Sequence, residues 1–218
     1  MQATPIGFLA RFLFGTVRNA IYKETKATGF LVNKEFVSSQ KKAAALSGRV
    51  SFVSTNDVVV STFCNALRCD VALMAVNFRG RVDGCGQRDV GNYEDLVAYT
   101  PMDYSSPSLV RESVGGKVFK RKGGGELPTN WQHLGATYGA ITNWATFAKE
   151  LKVDGGLQDL HLPLFDWQKT TPASVCGAMV VFKPREGEVG VLCAGSEEVV
   201  ERIKQSAMVG GTLGVEVN

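Results

Sequence analysis

The sequence predicts an α/β fold, a two-layer sandwich of helices on a mixed sheet. Three observations carry this. Amphipathic helical patterns alternate with short apolar runs along most of the chain. One run, residues 71–78 (VALMAVNF), is nearly all apolar, as a strand buried on both faces requires. Residues 183–188 separate two further apolar runs and read as the turn of an antiparallel hairpin. The 218 residues are 44% hydrophobic and 21% charged, a globular composition long enough to bury a core without staples.

Taken in order, residues 6–23 read as a helix, its apolar stretch 6–17 broken by Arg11. Three readings of that stretch stay open: a core or docking helix, a membrane-surface helix, or an organelle transit segment. No positive charge precedes it, which argues against a secretory signal. No apolar run reaches the roughly 18 residues a spanning helix needs. Residues 28–32 (TGFLV) form a strand. Residues 34–46 form a helix with Phe36, Val37, Ala44 and Ala45 at helical spacing, stopped by Gly48. Ser54-Thr55-Asn56-Asp57 has the form of a capping box, with Asp57 in the place usually held by Glu or Gln, and predicts a helix over about 55–69. After the 71–78 strand comes a glycine-rich loop, then a strand over 93–100. Ser106-Pro107 opens another helix. Residues 117–125 form a basic, glycine-rich loop. Later strands are expected over 138–144, 160–165, 175–182 and 189–194, and Ser196 caps a closing helix with Glu197 and Glu198 in its first turn.

The net charge of +3 is too weak to argue for a nucleic-acid partner, and no aromatic ladder accompanies the basic cluster at 117–122. The five cysteines, Cys64, Cys69, Cys85, Cys176 and Cys193, include no C-x-x-C pair, so neither a zinc site nor a disulfide framework is expected. Free thiols point to a reducing, cytoplasmic compartment, with an organelle or a membrane surface as the alternative. The sequence contains no G-x-S-x-G, no G-x-x-x-x-G-K-[ST] and no G-x-G-x-x-G. It has two histidines, His133 and His161.

Several stretches, in order, resemble the C-terminal half of the BAHD-type CoA-dependent acyltransferases. Residues 29–54 look like the strand, helix and turn that lead into that half. Ser54–Asp57 (STND) looks like its helix start. Residues 76–81 (VNFRGR), with Gly91-Asn92, look like its V-D/N-x-R-x-R…GN stretch. Residues 141–147 (ITNWATF) precede LFDW at 164–167, which stands where the family has DFGWG; Asp166 and Trp167 are kept and the glycines are not. The resemblance covers roughly residues 28–205. It implies a chloramphenicol acetyltransferase-like fold for residues 28–218, with 1–27 as an N-terminal amphipathic or crossover segment.

The resemblance also implies a mechanism. A histidine in H-x-x-x-D removes a proton from the acceptor hydroxyl or amine, which then attacks the thioester carbonyl of acyl-CoA. No such motif occurs here: His133 is followed by Leu-Gly-Ala-Thr, and His161 meets Asp166 one residue too late. His161 is the weak candidate base; the alternative is a strand histidine with a backbone partner. Arg79 and Arg81, two residues apart, are expected on one strand face. The family pairs an arginine of the VNFRGR stretch with the aspartate of DFGWG, implying an Arg79–Asp166 bridge. Ser54, Thr55, Asn56, Asp57, Arg79, Asn92, Asp166 and Trp167 are the expected structural and channel residues. Lys120, Arg121 and Lys122, beside glycines 123–125, are candidates for a CoA phosphate, against a plain solvated loop. No bound cofactor or metal is expected; acyl-CoA would be a co-substrate. The expected partners are a small-molecule acceptor, a histidine-bearing half or a second copy, and a membrane surface touched by residues 6–17. The rival reading is a non-catalytic binding or interaction module on the same fold.

Overall fold

The computed structural model describes residues 6–7, 9–10, 13, 25–86, 88–90, 93–116, 119–146, 154, 156, 158–163 and 175–217. Seven strands form one mixed sheet: β1 (Lys26–Val32), β2 (Val71–Asn77), β3 (Glu94–Tyr99), β4 (Tyr138–Asn143), β5 (Val175–Phe182), β6 (Gly190–Gly195) and β7 (Val209–Val217). Their order across the sheet is β3-β2-β4-β5-β6-β1-β7. The central neighbours β2, β4 and β5 run parallel, and the remaining pairs are antiparallel. Five α-helices with described bounds accompany the sheet: α1 (Lys34–Leu46), α2 (Thr55–Leu67), α3 (Pro101–Tyr104), α4 (Pro107–Val114) and α5 (Glu197–Lys204); residues 6–7, 9–10 and 13 are helical as well.

The main core lies between these helices and one face of the sheet. It joins Phe30 and Val32 of β1, Val59, Phe63 and Leu67 of α2, and Val110 of α4 to Met179 and Val181 of β5. The alternate residues Ala178, Val180 and Phe182 of β5, with Leu192 and Ala194 of β6, form a second buried cluster. The period of two thus separates two cores, and β5 and β6 are the strands buried on both faces. The expected both-face burial of 71–78 is only partial. In β2, Val71, Ala72, Met74 and Val76 are buried, whereas Leu73, Ala75 and Asn77 are half-buried.

α2 is the central helix, touching α1, α3, α4 and α5 as well as β4 and β5. Its start is the expected capping box: Ser54 accepts from the Asp57 N–H, and the Asp57 carboxylate accepts from the Ser54 N–H. Its end is Arg68 in the left-handed region, φ 56°, whose N–H donates to the Cys64 carbonyl. α1 matches its expected bounds and ends before Gly48, φ 68°, a conformation glycine adopts without strain.

Three expectations are corrected. Residues 160–163 carry no strand; Pro163 supplies no N–H for a ladder, and the neighbouring His161 N–H donates to the Pro184 carbonyl instead. α5 does not close the fold, because β7 follows it and pairs with β1. Arg79 and Arg81 do not share a strand face: β2 ends at Asn77, and both follow in a turn around Gly80, φ 66°.

Candidate functional site

The site is built where the parallel strands end. β2 and β4 run side by side, and their C-terminal residues, Asn77 and Asn143, open onto a cleft of about 490 Å³. Asn56, the second residue of α2, closes one side. Crevices at the carboxyl ends of parallel strands are the usual ligand position in α/β sheets, and the volume suits a small molecule. Thr142 and Thr146 add hydroxyls, Met74 and Val76 an apolar floor, and Arg79, Arg81 and Glu94 charge at the rim. Three stretches far apart in sequence, STND, VNFRGR and ITNWATF, therefore share this cleft.

The α2 start is held by a buried ion pair. Asp57 is 1% exposed, and its Oδ2 accepts from Ser54 N at 2.6 Å, Ser54 Oγ at 2.8 Å and Arg111 Nε at 2.7 Å. Arg111 Nη2 lies 2.5 Å from the same oxygen, while Oδ1 has no hydrogen-bond partner. Arg111 comes from α4 and stacks over Phe52, 4.7 Å from the ring centre. Asp57 and Ser54 therefore position α2; of the four STND residues, Asn56 is the one lining the cleft. Thr55 accepts from Lys41 Nζ at 3.0 Å and lines a separate cleft of about 290 Å³ with Val32, Lys34 and Val189.

Arg79 donates to the Asp89 carbonyl at 3.0 Å and to Asn77 Oδ1 at 3.4 Å, with its guanidinium over Tyr93. Arg81 donates to the Val114 carbonyl and lies over Phe119, 4.4 Å from the ring centre. Burial, and then the charge of Arg111, lower the Arg81 pKa. Asn92, Asp166 and Trp167 lie outside the described residues, and so does the expected Arg79–Asp166 pair.

His161 does not line the cleft. Its Nδ1 faces the Lys183 carbonyl at 3.3 Å, and its ring meets Phe182 edge-on at 6.5 Å. That carbonyl selects the Nδ1–H tautomer. His133 is buried, with Nδ1 hydrogen-bonded to the Tyr138 hydroxyl, and burial lowers its pKa. Among the described lining residues there is no histidine or cysteine; amides, hydroxyls, two arginines and the Glu94 carboxylate supply the polar groups.

The phosphate candidates divide. Lys120 and Lys122 are exposed. Arg121 is engaged: it donates to Asp103 Oδ2 at 3.3 Å and to the Gly125 carbonyl. Gly123 N donates to Asp103 Oδ1 at 2.7 Å, and a Cβ on Gly123 would come within 2.4 Å of the Met102 carbonyl. The glycine-rich loop thus wraps a buried carboxylate, with its Gly123 amide already used. Burial pushes the Asp103 carboxyl up, but hydrogen bonds from Thr100, Gly123 and Arg121 outweigh it and hold the carboxyl below its ordinary value. All five cysteines are free thiols.

Sequence reasoning missed Arg111 as a site-building residue, since nothing local marks one arginine in PSLVRESV as the partner of a carboxylate 54 residues earlier. Asn143 and Thr142 lay within a stretch already singled out, but only the strand register brings them beside Asn56.

No family model and no curated protein matches the chain. Solved structures do. TRI101 of F. sporotrichioides, complexed with Coenzyme A and T-2, superposes with a TM-score of 0.53 at 15% identity over 84% of this chain and 49% of that one. TRI101 of F. graminearum, complexed with Ethyl Coenzyme A, gives 0.52 at 17% identity over 83% and 47%. Vinorine synthase gives 0.50 at 15% identity over 88% and 49%. The chain spans about half the length of the solved chains it matches. The α/β fold expected from the sequence pattern is therefore the observed one: this chain has the fold of one half of TRI101 and of vinorine synthase.

Proposed function

We propose that the chain is the C-terminal half of a CoA-dependent acyltransferase of BAHD type, forming one wall of the channel for acyl-CoA and a small-molecule acceptor. The observation that carries this reading is the cleft at the ends of β2 and β4, which gathers three of the motif stretches on one surface. The likeness to TRI101, solved with Coenzyme A, supports it at the level of fold.

In the proposed reaction a base takes the proton of an acceptor hydroxyl or amine. The freed oxygen or nitrogen attacks the thioester carbonyl, and the CoA thiolate leaves and is protonated. The base must come from a histidine-bearing half, on a second chain or in a longer gene product, because this sequence has no H-x-x-x-D. Lys120 and Lys122 remain the candidates of the basic loop for a CoA phosphate; Arg121 is spent on Asp103. Free thiols fit a reducing compartment, the cytoplasm in this reading.

Mixed with acyl-CoA donors and hydroxyl or amine acceptors, the 218-residue chain alone should release no thiol above background; each absent acid–base group costs about 10²–10⁴-fold. Adding a histidine-bearing half should restore release. Turnover by the chain alone that vanishes in His161→Ala would make His161 the catalyst and overturn the reading. The rival, a non-catalytic binding module, draws on one observation: no histidine or cysteine is among the described lining residues of the cleft. It predicts ligand binding with no turnover whichever half is added.

A further inference from the structure

The orientation of one carboxamide in the cleft is set by its neighbours. The Ala145 backbone N–H can only donate, and it lies 2.8 Å from Asn143 Oδ1. The other end of Asn143 is therefore its NH₂ group, 2.7 Å from Asn56 Oδ1. Asn56 accepts with its oxygen, and its own Nδ2 turns away from Asn143. That nitrogen meets Met74 Sδ at 4.0 Å, a weak acceptor at long range. Asn56 and Met74 both line the cleft. The chain thus holds a fixed amide donor at the cleft wall, without an oxygen partner among the described residues. It sits in the first turn of the 13-residue helix α2, where the backbone dipole favours negative charge.

We propose that Asn56 Nδ2 is the donor that binds the carbonyl oxygen of the acyl thioester, with Asn143 and the Ala145 N–H as positioning groups. The assignment rests on the reading of the cleft as the acyl channel. A neutral donor beside Met74 and Val76 suits a carbonyl oxygen better than a free carboxylate, since no cation is needed in that apolar corner. As the thioester is attacked its oxygen gains negative charge. A donor already aimed, at the positive end of a helix, then binds more tightly without reorganising.

The test compares acetyl-CoA with ethyl-CoA, which has a methylene in place of the thioester carbonyl. Isothermal titration of the 218-residue chain should show acetyl-CoA binding roughly 2–10-fold more tightly, the worth of one hydrogen bond. Asn56→Asp still accepts from Asn143 but offers no donor, so the ratio should fall to about one. Its added charge weakens both ligands alike and cancels from the ratio. Asn143→Asp still accepts from Ala145 but faces Asn56 with an oxygen. Asn56 then turns to donate to it, and the preference should vanish although Asn56 is unchanged. As a second readout, the Asn56 side-chain amide protons of the unmutated chain should shift with acetyl-CoA and not with ethyl-CoA. Equal binding of the two ligands, or a preference that survives Asn56→Asp, overturns the assignment while leaving the channel reading intact. Binding of neither ligand, even with a histidine-bearing half present, overturns both.

Discussion

Asp57 joins two helices through one oxygen. Its Oδ2 caps α2 and simultaneously takes Arg111 from α4, and the residue is almost fully buried. Removing one partner of a buried pair leaves a charge without compensation. Arg111→Met should therefore destabilise the chain by about 3–5 kcal/mol in urea unfolding, and Asp57→Asn in the same background should recover part of the loss. A cost near zero for Arg111→Met would mean that the Ser54 donors suffice. At this scale the sequence was informative where partners are close along the chain. The Ser54–Asp57 box spans three residues, and the α2 cap could be read from it directly. Arg111 and Asp103 could not be read, because their partners arrive through the packing of α2 on α4 and of the basic loop on α3. That is also why Arg121, free in the sequence, is bound in the fold.

Among the elements, α2 packs through two glycines. Gly139 of β4 and Gly177 of β5 are register partners, and a Cβ on either would come within 2.6 Å of a Leu67 methyl. The pair makes a trough in the sheet that receives the last turn of the helix. Gly177→Ala should overfill it, costing about 1–3 kcal/mol. Combined with Leu67→Ala, the losses should be less than additive, since the smaller side chain vacates the contested volume. Fully additive thermal-melt losses would refute the trough. Elements with a clear period were legible: α1, α2, β1 and the β5–β6 hairpin lie within a residue or two of their expected bounds. β7 was missed because Gly210, Gly211 and Gly214 interrupt its alternation and are poor strand formers. It is a strand because β1 offers it an open edge, a fact of the sheet and not of its own composition. Asn56 was singled out only as one residue of the STND stretch, and its place in the cleft wall beside Asn143 depends on β4 ending next to α2.

For the whole molecule, the governing fact is that the chain has the fold of half of its structural relatives. If it pairs with another half, as proposed above, it should expose surface that the complete fold would cover. Residues 6–7, 9–10 and 13 are helical, and Gly7 lies so close to Asn130 that a Cβ there would sit 2.1 Å from the Asn130 carbonyl oxygen. This seats the segment beside Trp131, yet Leu9 is 50% exposed, Leu13 67% and Trp131 66%. Apolar side chains scattered singly need no explanation, but two neighbouring segments that both expose large ones make a candidate interface. If the chain is the half proposed above, this surface would be covered by a second copy, a histidine-bearing half or a lipid surface. Static light scattering at low micromolar concentration should report a mass above 23.5 kDa, the mass of one chain, unless a partner or liposomes are supplied to occupy the face. Leu9→Glu with Leu13→Glu should return the chain to a monomer without lowering its unfolding midpoint, because neither side chain belongs to the buried clusters. If the unmutated chain is a monodisperse monomer that binds neither liposomes nor a dye for exposed apolar surface, the interface does not exist. If the double variant unfolds early, the segment belongs to the core of the half and not to its contact face.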